Sequence, residues 1–490
     1  MQLRSLISAI HTAGGAGRTN TKQNITHMKK TLQSSFLTFL FIAAIASITG
    51  CTKDKTALAL PTVEINPIVY GLTSTTITVG GRNTAANIIN ENGICFSSTN
   101  ETPTTSDIKV ADTIAARWAV TLRGLTPGKT YYFRAYSIND TGTGYSDVLT
   151  VTMPSDNTMP TGTVTTFAGS MSATGGYTEG TGTGALFNGP QNITYNPLNN
   201  LLYVSDTYNN AIRTITTGGA TATINVSPIG YADGALSEAS FYGPRGISFD
   251  AQGNAYVADL GNNLIRKIST AGTVSTIAGN TISGYINGDA AKAEFYNPTA
   301  TVVDPSGNIY VVDRTNNLIR KITPAGVVSR FAGYEAQGGY SQITVPGYLN
   351  GDASSALFNY PVALTMDNAG NIYVADYKNK AIRKITAAGN VTTYAGGLNY
   401  PDLIGNPTGL VLDTQGNMFV TDNNGRILEI TNQKVLYVLA GASGTTGLQD
   451  GVGAAARFNN PQSITIDGQG NLYVADYNNN VIRKVTVAVQ

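Results

Sequence analysis

The stretch NIYVADYKNKAIRKITAAGNVTTYAGG, at residues 371–397, decides the fold because the second half of the chain repeats it. Its apolar runs IYVA, AIRKI and VTTYA are too short for stable helices and are separated by turn-forming residues, so they predict β-strands. A fourth run, VALTMD from Val362, precedes them and leads into DNAGN, where Asp opens and Gly closes a short hairpin loop. One copy therefore predicts four antiparallel strands.

The chain contains six such copies, each marked by the Asp that ends its second strand: Asp206, Asp259, Asp313, Asp376, Asp422 and Asp476. Both faces of the IYVA and AIRKI strands carry apolar side chains, so each small sheet must be covered on both sides. Sheets of this kind stack on their neighbours, and radial stacking of four-stranded sheets gives a β-propeller. We therefore expect an all-β protein with a six-bladed β-propeller over residues 163–490.

The pattern NP..I..D..GN.YVAD..NN.IRKI, which recurs through these copies, resembles the NHL repeat. The sixth copy ends without a fourth strand, whereas a strand of that type, TVTTFAG at residues 163–169, stands alone before the first copy. We expect it to complete the last blade by pairing with the strand around residues 481–487. Closure of this kind removes two exposed sheet edges.

The N-terminal residues have the layout of an export signal. Residues 1–27 look like an upstream extension, and residues 28–50 combine a basic start with an apolar run that is too short to span a bilayer. The run ends in ITGC at Cys51 and resembles a bacterial lipoprotein signal; an ordinary signal with an incidental Cys is the alternative. The resemblance implies lipid attachment at Cys51, a tether over residues 51–60 and an anchor in the bacterial outer membrane, on either its periplasmic or its surface face.

Charge and composition exclude several functions. Cleavage before Cys51 would remove five of the 31 Lys and Arg residues and none of the 30 acidic residues, which changes the net charge from +1 to −4. We therefore expect no nucleic-acid partner, because nucleic-acid binding needs clustered basic residues. Both His residues, His11 and His27, lie before Cys51. The exported chain then has no Ser-His-Asp triad and no His-bound metal.

Residues 61–153 show short strand-forming runs separated by turns, which predict a small β-sandwich. The stretch LTPGKTYYFRAYSIND from Leu125 resembles the end of a fibronectin type III domain, with Leu125, Pro127 and Tyr131 in the places of its tyrosine-corner motif. Trp118 comes later than in that family, so the strand order stays open. We expect this domain to act as a spacer, joined to the propeller by a polar linker over residues 154–162.

The candidate site is predicted on the face that carries the second-to-third hairpins and the long connections between blades, here called the loop face. Tyr offers a flat apolar ring and a hydroxyl, which suits stacking on sugars or on a partner protein. The candidate ligand-binding residues are Tyr208, Tyr334, Tyr340, Tyr348, Tyr377 and Tyr477. Packing between blades is the alternative for Tyr348 and for the matching Tyr of three other connections.

The six repeated Asp residues are expected to be structural, because an Asp at such a position usually accepts backbone N–H bonds and caps the turn. A Ca²⁺ site near the axis is the alternative, and it would need six or more converging oxygens. Five recurring Arg residues are expected to pair with acids between blades: Arg213, Arg266, Arg320, Arg383 and Arg483. The fifth blade has Leu428 there and a shorter hairpin, which makes it the exception.

Two classes of function remain. The favoured one is a non-enzymatic binding or scaffold module, without a cofactor, that holds a glycan, peptide or protein at the loop face and contacts the membrane only through its lipid anchor. The alternative follows from the resemblance to propellers that act as lactonases: a Ca²⁺-dependent hydrolase with carboxylates in the channel. No catalytic residue is predicted.

Overall fold

The computed structural model describes residues 59–489, apart from residues 86–87, 157–158, 226–227, 337–342, 399 and 401–402. The predicted signal, Cys51 and Tyr340 lie outside the described residues. Secondary structure in the described part consists of β-strands and short 3-10 turns. A search of the same residues found no helix with the length and apolar character needed to cross a membrane.

The predicted β-propeller is confirmed, and it has six blades of antiparallel strands. The first five blades are, in strand order, Pro190–Asn196, Leu201–Asp206, Ala211–Ile215 and Thr221–Thr223; Pro244–Phe249, Ala255–Asp259, Leu264–Ile268 and Thr273–Ala278; Pro298–Val303, Ile309–Asp313, Leu318–Ile322 and Val327–Ala332; Pro361–Met366, Ile372–Asp376, Ala381–Ile385 and Asn390–Gly396; and Pro407–Leu412, Met418–Asp422, Arg426–Ile430 and Val435–Ala440. In blades two, three, four and six, a two-residue strand from the preceding connection pairs with the outer strand: Gly234–Ala235, Gly288–Asp289, Gly351–Asp352 and Gly451–Val452.

The sixth blade closes the ring. Its strands are Pro461–Ile466, Leu472–Asp476 and Val481–Val489, and Pro160–Ala168 supplies the fourth. In this antiparallel pair Val164 lies opposite Val485, and both side chains belong to one buried cluster. The predicted closure is therefore confirmed. The closing strand begins at Pro160, inside the segment that the sequence predicted as a linker.

The first strand of each blade lies next to the axis, where neighbouring blades come very close. A Cβ atom added at Gly246 would lie 2.5 Å from the Cα atom of Ala300 in the next blade. At Gly409 it would lie 2.8 Å from the Cα atom of Ser463. Glycine at these two positions allows the backbones to approach, because a larger side chain would push the blades apart.

The residues before the propeller form a β-sandwich. One sheet contains Val63–Ile65, Val69–Tyr70, Thr76–Asn83 and Arg117–Arg123, and the other contains Glu91–Ser97, Ile108–Asp112, Thr130–Asn139, Gly142–Tyr145 and Leu149–Thr152. Trp118 lies on Arg117–Arg123, between the sheets, and its Nε1 donates to the carbonyl of Gly93 at 3.2 Å. This places the late Trp in the core and settles the strand order that the sequence left open.

The sandwich continues the sheet of the fifth blade, and both lie in one compact unit. Val69–Tyr70 pairs in parallel with Val435 and Leu436 on the outer edge of that blade. In four other blades a strand from the preceding connection occupies this edge. The connection into blade five spans only residues 397–406, so the sandwich covers the edge instead.

Candidate binding site on the loop face

Each second-to-third hairpin is built around its Asp. In blade two, Asp259 is fully buried, and its Oδ1 accepts the backbone N–H of Tyr242 at 2.8 Å. Its Oδ2 accepts from Asn262 Nδ2 at 2.8 Å and from Arg266 Nη1 at 2.9 Å. The same three kinds of bond surround four other residues: Asp206, Asp313, Asp376 and Asp476. The protein's own donors therefore occupy these carboxylates.

The recurring Arg pairs within its own blade, so the expectation of pairing between blades is wrong. Arg266 lies on the third strand, beside the second strand that carries Asp259. Its Nη2 donates to Asp233 at 2.7 Å in the connection that leads into the blade, and its guanidinium lies 5.2 Å from the Phe241 ring. This arrangement holds the connection against the hairpin. Such bonding within the blade recurs at Arg213, Arg320, Arg383 and Arg483.

In the fifth blade, a different Arg pairs with the Asp of the hairpin. Leu428 takes the place of the recurring Arg in the third strand and is fully buried. The hairpin's own Arg426 reaches Asp422 instead, with Nε at 2.9 Å and Nη2 at 2.6 Å from Oδ2. The Asp422 Oδ1 also accepts backbone N–H groups of the hairpin, from Asn424 and Arg426.

Three of the six candidate Tyr residues, Tyr208, Tyr377 and Tyr477, lie on the hairpins beside the central channel. Tyr208 and Tyr477 have ring centroids 5.9 Å apart, and their hydroxyls are hydrogen-bonded to each other. Tyr377 pairs with Tyr360, a residue that the sequence analysis missed, at 6.1 Å between centroids. Burial raises the pKa of Tyr477 to about 12, so its hydroxyl stays neutral and can donate a hydrogen bond.

Two further candidates, Tyr348 and Tyr334, are not part of this group. Tyr348 stacks on Arg383 of its own blade at 5.0 Å, and its hydroxyl is hydrogen-bonded to Thr393. Tyr334 is 40% exposed and precedes a small hairpin of Glu335–Ala336 and Ile343–Thr344 in the long connection into blade four.

The central channel encloses a cavity of about 450 Å³ lined by the six first strands. The residue that follows the Pro of each first strand forms the wall nearest the loop-face hairpins: Gln191, Arg245, Thr299, Val362, Thr408 and Gln462. This wall and the two Tyr pairs are called the channel mouth below. The mouth combines aromatic rings, amides and hydroxyls with the cation of Arg245 and that of Arg314, which lies over the Tyr360 ring.

Two arginines contribute to the channel mouth, and the sequence analysis missed both. Arg245 is only 8% exposed, and its Nη2 donates to Gln462 Oε1 at 2.9 Å. Arg314 follows Asp313 directly and lies over the Tyr360 ring at 4.8 Å. Burial, with the nearby charge of Arg314, lowers the pKa of Arg245 to about 9. The signal that could have found them is a departure from the repeat, because the matching positions of other copies carry Gln, Thr, Val, Leu, Tyr or Asn.

The donors at the channel mouth do not fit a Ca²⁺ site. Within the described ranges, no group of three or more Asp, Glu, His or Cys residues is placed to hold a metal ion. Asp250 lines the channel, but it lies in a first-to-second turn, where it accepts from Gln252, Asn254 and Tyr256. Ca²⁺ requires several converging oxygens, whereas this mouth brings two cations together.

Comparison with known proteins agrees with the fold. The family model of the NHL repeat matches residues 295–322, 358–385 and 458–484, which lie in blades three, four and six, and the propeller is of NHL type. SUPPRESSOR OF QUENCHING 1 of Arabidopsis thaliana is 27% identical over 325 residues, which is 63% of this chain and 26% of that protein. The chain therefore spans about a quarter of the length of this relative.

Two solved structures from Bacteroides thetaiotaomicron share the fold, each with a TM-score of 0.50. A structural genomics protein of unknown function is 20% identical, and the match covers 88% of this chain and 99% of that one. An auxiliary nutrient binding protein is 15% identical, with 88% of this chain and 98% of that chain covered. The propeller alone is about two thirds of this chain, so the similarity of fold includes the sandwich.

Proposed function

We propose that this protein is an exported binding module that holds its ligand at the channel mouth and carries out no catalysis of its own. The observation that carries this proposal is that polar side chains line a cavity of about 450 Å³, and that members of both Tyr pairs lie near enough to one of them, Arg245, to affect its titration. Cavities of this size, with a few convergent polar groups, are typical of small-molecule sites. The repeated Asp residues are held by hairpin and blade contacts and do not contribute to it.

A glycan fits this surface best. Tyr rings stack on the apolar faces of sugar rings, and the amides of Gln191 and Gln462 can bond to sugar hydroxyls. Tyr208 is 59% exposed, so part of the aromatic surface is open to a ligand. The similarity in fold to a protein described as nutrient-binding supports a small nutrient as the ligand class.

The proposal includes export and anchoring. It places a lipid on Cys51, as the sequence pattern suggests, and the protein at the outer membrane. It also assigns residues 61–153 to a fibronectin type III-like sandwich, which is supported by the corner bond in which the Tyr131 hydroxyl accepts the N–H of Thr126 at 3.1 Å. Because this sandwich packs against the fifth blade, we propose that it fixes the orientation of the propeller rather than serving as a loose spacer.

The alternative, a Ca²⁺-dependent hydrolase that uses channel carboxylates, receives no support from the channel mouth. The groups that converge there are cations, amides, hydroxyls and rings, and none of them supplies the anionic oxygens of such a site. The binding function therefore accounts better for the side chains present.

The test is a glycan array, together with a pull-down from envelope extracts, on the exported chain carrying Cys51→Ser to keep it free of lipid. We expect at least one glycan to bind, and Tyr208→Ala with Tyr377→Ala to weaken binding more than tenfold. The control is Tyr132→Ala, which removes a Tyr from the sandwich. A blank array with a blank pull-down, or equal binding by the channel-mouth variant and wild type, would overturn the proposal.

A further inference from the structure

Arg245 is a buried cation that the described part of the molecule leaves without a carboxylate partner. The recurring Arg residues do have carboxylate partners: Arg266, which is fully buried, pairs with Asp259 and Asp233. Arg245 instead has the neutral amide of Gln462 as its side-chain partner, at 2.9 Å. A buried charge is costly unless an opposite charge compensates it. The position of Arg245 therefore suits an anion from a bound ligand.

The guanidinium of Arg245 is positioned to meet such an anion. It lines the channel cavity, and a guanidinium has five N–H donors, of which the bond to Gln462 uses one. Arg314 adds a second positive charge near enough to affect the titration of Arg245. The guanidinium of Arg314 lies over the Tyr360 ring at 4.8 Å. Two neighbouring guanidinium groups repel each other until an anion lies between them.

We infer that the channel mouth binds the carboxylate of an acidic sugar, with Arg245 and Arg314 holding the carboxylate and the Tyr pairs stacking on the sugar ring. The inference rests on the proposed binding function and names its ligand class. A guanidinium matches the planar fork of a carboxylate and can bond to both of its oxygens. The rings of Tyr360 and Tyr377 lie beside Arg314, so one ligand can reach the cations and an aromatic face together.

The size of the site favours a sugar acid over an acidic peptide. The cavity of about 450 Å³ lies between six strands, and this volume suits one or two sugar units. A peptide would need an extended groove or an open sheet edge, along which its backbone could form hydrogen bonds. Each inner strand is the end strand of its sheet, and its free edge faces this channel rather than an open groove on the outer surface.

The test is isothermal titration of the full exported chain, carrying Cys51→Ser, with oligomers of galacturonate, glucuronate and mannuronate. The methyl ester of each oligomer is the matched probe, because it keeps the shape and loses the charge. We expect at least one oligomer to bind and its ester to bind at least tenfold more weakly. Arg245→Gln and Arg314→Gln should each reduce binding of the acid at least tenfold and reduce the preference for the acid over its ester. Arg123→Gln, an exposed substitution in the sandwich, is the control.

The outcomes separate this inference from the proposed function. If acids and esters bind equally and Tyr208→Ala weakens both, the ligand is a neutral sugar, and the inference falls while the binding function stands. If inorganic phosphate or an oligoglutamate peptide binds through Arg245 and no uronate does, the inference also falls. If every uronate, the whole glycan array and the pull-down are blank, both proposals fall. Thermal melting of Arg245→Gln checks folding, and we expect no loss of stability because the substitution removes an uncompensated buried charge.

Discussion

The backbone N–H of Val69 donates to the carbonyl oxygen of Lys434 over 3.0 Å, and this bond joins the sandwich to the fifth blade. The parallel pairing continues from Val69 opposite Val435 to Tyr70 opposite Leu436. An outer strand without a partner exposes a row of backbone donors and acceptors to other chains. The sandwich therefore completes the propeller at the one blade whose incoming connection, among the described residues, contributes neither an extra strand nor an isolated bridge.

Replacing Val69 by Pro should release the sandwich from the blade. Proline removes the N–H that bonds to Lys434, whereas Val69→Ala keeps it and serves as the control. We expect limited proteolysis to cut the segment between the two domains, near residues 154–159, several times faster in Val69→Pro than in Val69→Ala. Equal rates of cleavage in the two variants would show that this bond does not hold the domains together.

A charge at Val164 should destabilise the whole ring. Val164 is 1% exposed and faces the core of blade six, whereas its neighbour Thr165 is exposed. Burial of an unpaired carboxylate there should cost about 4 kcal/mol or more of unfolding free energy, so Val164→Asp should lower the urea midpoint strongly and Thr165→Asp only slightly. Circular dichroism during urea unfolding measures both midpoints. Similar midpoints for the two variants would contradict closure by this strand.

Replacement of Asp259 alone should destabilise the protein more than replacement of both Asp259 and Arg266. Asp259→Ala leaves the buried Arg266 with the partly exposed Asp233 as its one remaining carboxylate, which we expect to cost about 3–5 kcal/mol. Combining it with Arg266→Leu imitates the fifth blade, where Leu428 fills that position, and should restore part of the loss. Urea unfolding of both variants gives the comparison. A double variant less stable than Asp259→Ala would refute this account of the pair.

Glu429 should make the stability of blade five depend on pH. It is 8% exposed, and burial, with a smaller effect of Asp413, raises its pKa to about 7 from the ordinary value of 4.5. Between these two pH values the folded state keeps a proton that the unfolded state has lost, so stability falls as the pH rises and stays low above 7. Glu429→Gln should therefore gain roughly 2 kcal/mol at pH 8 and almost nothing at pH 4. Thermal melts at both pH values test this. The exposed Glu238→Gln is the control and should show no such difference.

The propeller was predictable because each copy contains its own turns and strands. The Asp of the hairpin, the Pro that opens the first strand and the alternation of apolar residues recur at a fixed spacing, and four-stranded sheets of this kind must stack on one another. The free strand before the first copy, with the missing strand in the sixth, predicted the closure. Local sequence alone therefore accounts for most of the fold.

The candidate site was only partly predictable, because the residues that recur in every copy of a repeat are mostly those that pack the blades. The sequence placed Tyr208, Tyr377 and Tyr477 on recurring hairpins, where the structure also has them, and their role in binding stays a prediction. Arg245 and Arg314 were missed because they stand where the copies differ, and their shared position near the propeller axis becomes visible only in three dimensions. Docking of the sandwich was also missed. A run as short as Val69–Tyr70 does not specify its partner, and the short connection into blade five was the single hint.

The most direct test of the account is hydrogen exchange, measured by mass spectrometry on residues 51–490 carrying Cys51→Ser, with and without a saturating glycan ligand from the array. The account predicts slower exchange in the hairpin segments Tyr377–Asn379 and Tyr477–Asn479 and at the start of Pro244–Phe249, which together form the channel mouth. Protection confined to the opposite face, around the turn at residues 250–254, would contradict it.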